Sequence, residues 1–137
     1  MGFAPIAGRV AAVSYVAVVT DQFEEMTRFY GEKLRFPTLR SWDRSNSRGC
    51  VFDLRGMRLE ILDNLRERHP LHLEPPADRF HLVIEVEEVN GLYQELALEV
   101  PAPVEVSWGA RLFQVRDPDG LRVTFVEWLE TDAPTRV

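Results

Sequence analysis

Hydrophobic positions in this chain follow one pattern that is written twice. Residues 12–19 are a Val-rich run, continuous enough for a strand with both faces covered. Phe23, Met26, Phe29, Tyr30 and Leu34 then recur at helical spacing, which predicts an amphipathic helix over 22–34. Asp21 is expected to cap it, with Glu24 completing a capping box. Pro37 ends the helix. Strands are predicted over 38–43, 50–54 and 57–62. A polar turn at Arg44-Ser45-Asn46-Ser47 joins the first two, and Arg55-Gly56 joins the second and third, with the glycine expected to supply the φ freedom.

The second pass has the same order. A strand is predicted over 80–86, a shorter helix over 89–98, an edge-like strand over 101–107 opened by Pro101 and Pro103, and strands over 110–115 and 121–128. The last two flank Asp117-Pro118-Asp119-Gly120, with proline and glycine where a tight turn wants them. Each pass closes on an apolar strand with a polar residue inside it, Glu60 in the first and Thr124 in the second. Repetition on this scale points to two copies of one strand-helix-three-strand unit. The stretch between them, with His69, Pro70, His72, Pro75 and Pro76, is too rich in proline for a helix or an inner strand and reads as a linker. The chain is thus one domain over 1–137. Its first module covers about 12–63, the linker 64–79, the second module 80–128, and a tail expected to fray 129–137.

Composition narrows the function classes. With 45% apolar and 28% charged residues in 137, the chain suits a globular domain. No apolar run approaches the roughly 20 residues that span a bilayer, so no membrane role is expected. A net charge of −6 argues against nucleic acid as a partner, since affinity for phosphates comes mainly from Lys and Arg, and it would suit a cationic ligand. Cys50 is the single cysteine and so forms no internal disulfide, which agrees with the cytoplasmic location expected here.

Val18-Val19-Thr20-Asp21, the helix ending Phe29-Tyr30-Gly31-Glu32-Lys33-Leu34 and the late Asp117-Pro118-Asp119-Gly120 together resemble the vicinal oxygen chelate superfamily of glyoxalase I, bleomycin-resistance proteins and extradiol dioxygenases. The similarity covers roughly residues 12–128. It implies an α+β fold in which two βαβββ modules form an eight-stranded, partly open barrel-like sheet around a cavity, with helices on the outside. It also implies twofold dimers, to which the apolar stretch from Phe3 to Ile6 could contribute.

In metal-dependent members the ligands come from the first and last strands of each module. Carried onto this chain, those positions are Ser14, Glu60, His81 and Thr124. Only Glu60 and His81 carry good donors for a divalent ion, whereas structural and catalytic sites normally supply three or four. A facial triad needs two histidines and a carboxylate, and these positions hold one histidine. No metal is therefore expected; if one binds, Glu60 and His81 would hold it. Without metal the same two residues are candidates for a ligand-gripping or acid–base pair. His69 and His72 read as solvated loop residues.

Trp42, Trp108 and Phe113 lie on segments that build cavity walls in the fold implied by the resemblance, and flat aromatic walls hold planar groups by stacking. The run Trp108-Gly109-Ala110-Arg111-Leu112-Phe113 is similar to the corresponding segment of bleomycin-resistance proteins. Core packing competes with ligand contact at both Trp108 and Phe113, more strongly at Phe113. Trp128 is expected at an interface or edge. The arginines at 40, 44, 48, 55 and 58 read as a solvated strand edge. The preferred function is a metal-independent protein that sequesters a small, partly aromatic and possibly cationic ligand as a homodimer. The alternative is a metal-dependent lyase, isomerase or dioxygenase of the same fold with an incomplete ligand set.

Overall fold

The computed structural model describes residues 5–11 and 13–129. The tail expected to fray lies outside the described residues from 130 onward, and so do residues 3 and 4 of the apolar N-terminal stretch. The valine-rich run forms β1 (Tyr15–Thr20), followed by α1 (Phe23–Arg28). The helix continues as a π-helical turn over Phe29–Lys33, in which Leu34 donates to the carbonyl of Phe29. Arg35, at φ 62°, then turns the chain into β2 (Thr38–Arg44), β3 (Ser47–Asp53) and β4 (Arg58–Asp63). The second module repeats this with β5 (His81–Glu85), α2 (Val89–Leu96), β6 (Val104–Val106), β7 (Ala110–Arg116) and β8 (Arg122–Trp128).

The duplicated pattern gives duplicated topology. Each module is a four-stranded mixed sheet, ordered β1-β4-β3-β2 in the first and β5-β8-β7-β6 in the second. The helix after each first strand carries the chain across, so that strand pairs parallel with the last one of its module: Ala17 opposite Glu60, and Val83 opposite Thr124. The eight-stranded sheet of the sequence reading is not formed. Among the described residues no strand pairing joins the two sheets, because β1 and β5 are both edges, and neither sheet is closed.

One face of each sheet supplies the core. Val16, Val18, Phe52, Leu59 and Ile61 point from the first sheet toward Met26, Phe29 and Tyr30, while Phe113, Val123 and Phe125 do the same in the second beneath α2. These residues form one continuous cluster across both modules. The modules are also tied by polar contacts at the Asp117 turn. Tyr30 Oη donates to Asp117 Oδ2 at 2.7 Å, and Gln22 Nε2 donates to the Pro118 carbonyl and to Asp119 Oδ1. Asp117 Oδ1 accepts from the amides of Asp119 and Leu121, and Gly120 takes the left-handed φ of 90° that the turn requires. Burial pushes the Asp117 carboxyl up from its ordinary range and the Tyr30 hydroxyl up from its own, the second reinforced by the Asp117 charge.

Two local expectations are corrected. The capping box at α1 is absent: Asp21 Oδ1 accepts from Asn64 Nδ2, and the Gln22 amide donates instead to Thr20 Oγ1. The carboxylate is used to hold the start of the linker, where Asn64 also bonds Leu71 through both its amide atoms. In the β3–β4 connection it is Arg55, at φ 73°, that takes the left-handed conformation, while Gly56 does not. Asp53 makes this possible by accepting the Arg55 amide at 2.7 Å, an Asx turn that stabilises the strained residue.

Candidate functional site

The opposite face of each sheet is covered only in part within the chain, Thr124 and Val126 being buried on the second. On the first sheet, register sets Ala17, Glu60, Val51 and Arg40 in one row across the four strands, with Val19, Leu62, Gly49 and Trp42 in another. Alternation along the strands adds Tyr15 and Arg58 to this face. The result is a shallow cleft of about 310 Å³ lined by Tyr15, Leu39, Arg40, Val51, Arg58 and Glu60. Its apolar members are open to solvent, Tyr15 being 59% and Leu39 48% exposed. Trp42 lies so close over Gly49 that a Cβ there would collide with the indole, and its Nε1 donates to Ser47 Oγ at 2.9 Å. Arg40 lies over that indole, its guanidinium carbon 5.1 Å from the ring centre. Glu60 sits half-buried within the cleft, and among the described residues none hydrogen-bonds or ion-pairs with it.

On the second sheet the corresponding rows are His81, Arg122 and Arg116, then Val83, Thr124 and Gln114. Thr124 Oγ1 already accepts from Gln114 Nε2 at 3.0 Å. His81 is exposed, and its Nε2–H donates to the carbonyl of Asp78 at 2.8 Å.

The sequence candidates thus separate into two groups. Ser14 and Glu60 belong to the first sheet, where the Ser14 carbonyl accepts the Arg58 amide next to β1. His81 and Thr124 belong to the second. Trp108 stands in the β6–β7 turn, 53% exposed, with its ring 5.3 Å from that of Trp128. Trp128 in turn donates to Glu85 across the sheet. Phe113 is on the core face: it is 2% exposed, stacked on Phe125 and edge-on to Tyr93 of α2. Strand parity turns its ring toward the helix, so core packing, the stronger of its two readings, is the part it plays, while the residue also borders the cleft beside β7. His72 lies against Glu74 in the linker, and His69 is exposed. Cys50 is buried, which raises its thiol pKa and makes the thiolate scarce.

Tyr15, Arg40, Val51 and Arg58 were not singled out as ligand contacts in the sequence. Tyr15 and Val51 carried no reading of their own, and the arginines read as an edge. The signal that finds them is parity: Arg58 is two residues before Glu60, and the others share its face once the register is known.

The four inherited positions do not fit a divalent ion. Among the described residues no three His, Cys, Asp or Glu side chains come together. Two of the four positions carry only hydroxyls, one of which is engaged by Gln114, and the His81 ring donates from Nε2 to a backbone carbonyl. Glu60 offers a carboxylate and His81 its Nδ1, but they stand on different sheets.

The chain matches the family model described as the Glyoxalase/Bleomycin resistance protein/Dioxygenase superfamily over residues 12–125. It belongs to that superfamily. No curated protein matches it. Among solved structures of superfamily type, a glyoxalase/bleomycin resistance protein/dioxygenase from Nocardioides is similar at 23% identity, covering 93% of this chain and 90% of that one, with a TM-score of 0.70. A glyoxalase family protein from Enterococcus faecalis shows 27% identity over 85% of this chain and 97% of its own, at a TM-score of 0.60. TnmS3, an antibiotic binding protein from Streptomyces sp. CB03234, shows 22% identity over 87% of this chain and 97% of its own, at 0.59. Superfamily membership fixes the fold of the two modules and leaves the chemistry to the site. No helix among the described residues is long and apolar enough to cross a membrane.

Proposed function

We propose that this protein is a metal-independent binder of a small, partly aromatic organic molecule, held on the uncovered face of the first sheet at Glu60. The observation that carries this reading is the Glu60 carboxylate, half-buried on an apolar sheet face without a partner among the described residues. A buried carboxylate is normally paired or hydrogen-bonded, so an open one is poised to accept a donor from a ligand. Tyr15, Leu39 and Val51 offer the flat and apolar surface beside it. Arg40 and Arg58 line the same cleft and oppose a bare cation. The fitting ligand is therefore a neutral or zwitterionic planar molecule with an N–H or O–H donor. Sequestration rather than turnover is supported by the dispersal of the titratable groups, since His81 stands on the other sheet with its ring tied to Asp78. The likeness to an antibiotic binding protein, itself evidence of fold alone, agrees with this role.

The test is a thermal-shift and calorimetric titration of the whole chain against planar aromatic antibiotics, run beside Zn, Ni, Fe(II), Mn and Mg. A ligand that raises the melting temperature is expected to bind about tenfold more weakly to Glu60→Gln, the loss of one charge-assisted hydrogen bond. A metal-induced shift abolished by Glu60→Ala would overturn the reading and restore the lyase and dioxygenase chemistries.

We also infer a homodimer. Tyr15, Leu39, Val83 and Val104 are about half exposed or more on the two sheets, an apolar surface that a second copy would cover, with the Glu60 cleft and its ligand then enclosed between the two chains. Light scattering is expected to return twice the chain mass, and a monomer at micromolar concentration would refute this.

A further inference from the structure

Arginines of the two sheets meet carboxylates in different proportions. In the first, Arg48 lies within ion-pair distance of three carboxylates, those of Glu24, Asp43 and Asp63, so one cation is more than balanced. At one place in the second sheet the proportion is reversed, two arginines sharing one carboxylate. Arg116 and Arg122 are directly opposite one another across β7 and β8, and His81 is the next partner of Arg122 on β5. Like charges placed directly across a ladder repel. What reconciles them is a single oxygen: Asp78 Oδ1 accepts from Arg116 Nη2 at 2.8 Å and from Arg122 Nη2 at 3.0 Å. The Asp78 carbonyl also accepts from His81.

Asp78 does not belong to the sheet. It comes from the proline-punctuated segment between Arg66 and His81, which forms no helix or strand, and its side chain is 62% exposed. An ion pair that exposed contributes little, so the carboxylate can be exchanged for another. Beside the two arginines opens a cleft of about 460 Å³ where β6 ends and leaves the outer edge of β7 uncovered. Both arginines line it, with Gln114 next to them and Pro101, Ala102, Val104 and Leu112 along its walls. The cationic end and the apolar walls together describe an amphipathic anion.

We propose that Arg116 and Arg122 form an anion subsite on the second sheet, occupied in the free protein by Asp78, and that its ligand is a small organic carboxylate with an apolar body. Two guanidinium groups match a carboxylate's two oxygens, and Asp78 engages both with only one of its own. The ligand's carboxylate takes the place of the Asp78 side chain, and its apolar body lies along Pro101, Val104 and Leu112. The linker is released as the site fills, which makes Asp78 an internal competitor that lowers the apparent affinity. This site shares no residue with the Glu60 cleft and does not depend on it.

The probe is 4-phenylbutyrate, titrated calorimetrically at low salt into the full chain, with 4-phenylbutyramide and inorganic phosphate as comparisons. Removing the competitor by Asp78→Asn is expected to tighten phenylbutyrate binding about tenfold, by raising the fraction of sites that are open. Adding Arg122→Gln to that variant is expected to return it to wild-type affinity or weaker. Arg116→Gln gives the same reading where Arg122→Gln does not fold. The amide is expected not to bind. Unchanged affinity in Asp78→Asn, equal binding of the amide, or retained binding after loss of either arginine would overturn the proposal. Phosphate binding as tight as that of phenylbutyrate would also overturn it, because the apolar walls would then be contributing nothing.

Discussion

Asp117→Ala is expected to lower the unfolding free energy by about 3 kcal/mol, while Asp117→Asn loses less than half of that. The buried carboxylate accepts three hydrogen bonds, from Tyr30 Oη and from the amides of Asp119 and Leu121. Alanine leaves all three donors without an acceptor, each costing about 1–3 kcal/mol if it stays dry, and relief of one desolvated charge offsets part of the sum. Asparagine keeps an oxygen for the amides, and its NH₂ can donate to the Tyr30 hydroxyl. Chemical denaturation of the three proteins decides it. Equal losses for Ala and Asn would mean that the charge, not the acceptor geometry, holds the modules together.

The same contact sets the alkaline limit of stability. Tyr30 has its hydroxyl pKa raised, first by burial and then by Asp117, so the folded state holds that proton more tightly than the unfolded state. A raised folded-state pKa contributes stability that is complete below the unfolded value of about 10 and is lost as pH rises beyond it. The loss approaches about 1.4 kcal/mol per pH unit for one proton. Subtracting the profile of Tyr30→Phe isolates this part from that of Cys50, whose raised thiol pKa acts with the same sign. Asp117 carries a raised carboxyl pKa, so its own contribution is present at acid pH and is lost as pH rises through the folded value. Identical alkaline slopes in wild type and Tyr30→Phe would remove Tyr30 as the cause.

Phe52→Ala is the largest core loss to be expected, about 3–5 kcal/mol. The ring is 1% exposed near the end of β3, tilted against Tyr30 at 6.3 Å, and it lies where a side chain on Gly31 would come within 3.1 Å of it. The helical turn that carries Tyr30 thus rests on Phe52, and no neighbour can collapse into the space without moving that turn. Phe52→Leu keeps most of the volume and should cost under about 1.5 kcal/mol. Set against a total stability of about 5–15 kcal/mol, the alanine variant is expected to unfold well below the wild-type melting temperature. A loss under about 1 kcal/mol in urea denaturation would show that β3 and the π-helical turn are not packed as described.

Much of the architecture was legible along the chain. The Val-rich run, the helical spacing of Phe23, Met26 and Tyr30, and the Asp-Pro-Asp-Gly turn each carry a local cause, and each produced the expected element within a few residues. Errors arose where a side chain had a choice of partner. Asp21 is a good cap in isolation, yet it bonds Asn64 forty-three residues away. Arg55 is an unlikely residue for a left-handed turn until Asp53 accepts its amide.

The candidate site was legible in part for the same reason. Glu60 stood out because a carboxylate within an apolar strand is costly wherever it is buried without a partner. Its neighbours did not, because Tyr15, Arg40 and Val51 come from three other strands and meet it only through register. Arg116 and Arg122 are separated in sequence by a turn, and nothing local says that they face each other or that Asp78 reaches both.

By itself the sequence determined the two modules, their order of elements and the superfamily resemblance, since these depend on periodicity, turn chemistry and short motifs that act over a few residues. The tertiary structure alone decided that the modules keep separate sheets, which faces stay uncovered and which charges share a ligand-sized space. Those outcomes are set by strand register and by competition among distant partners, and a one-residue change in register would turn every one of these side chains to the other face.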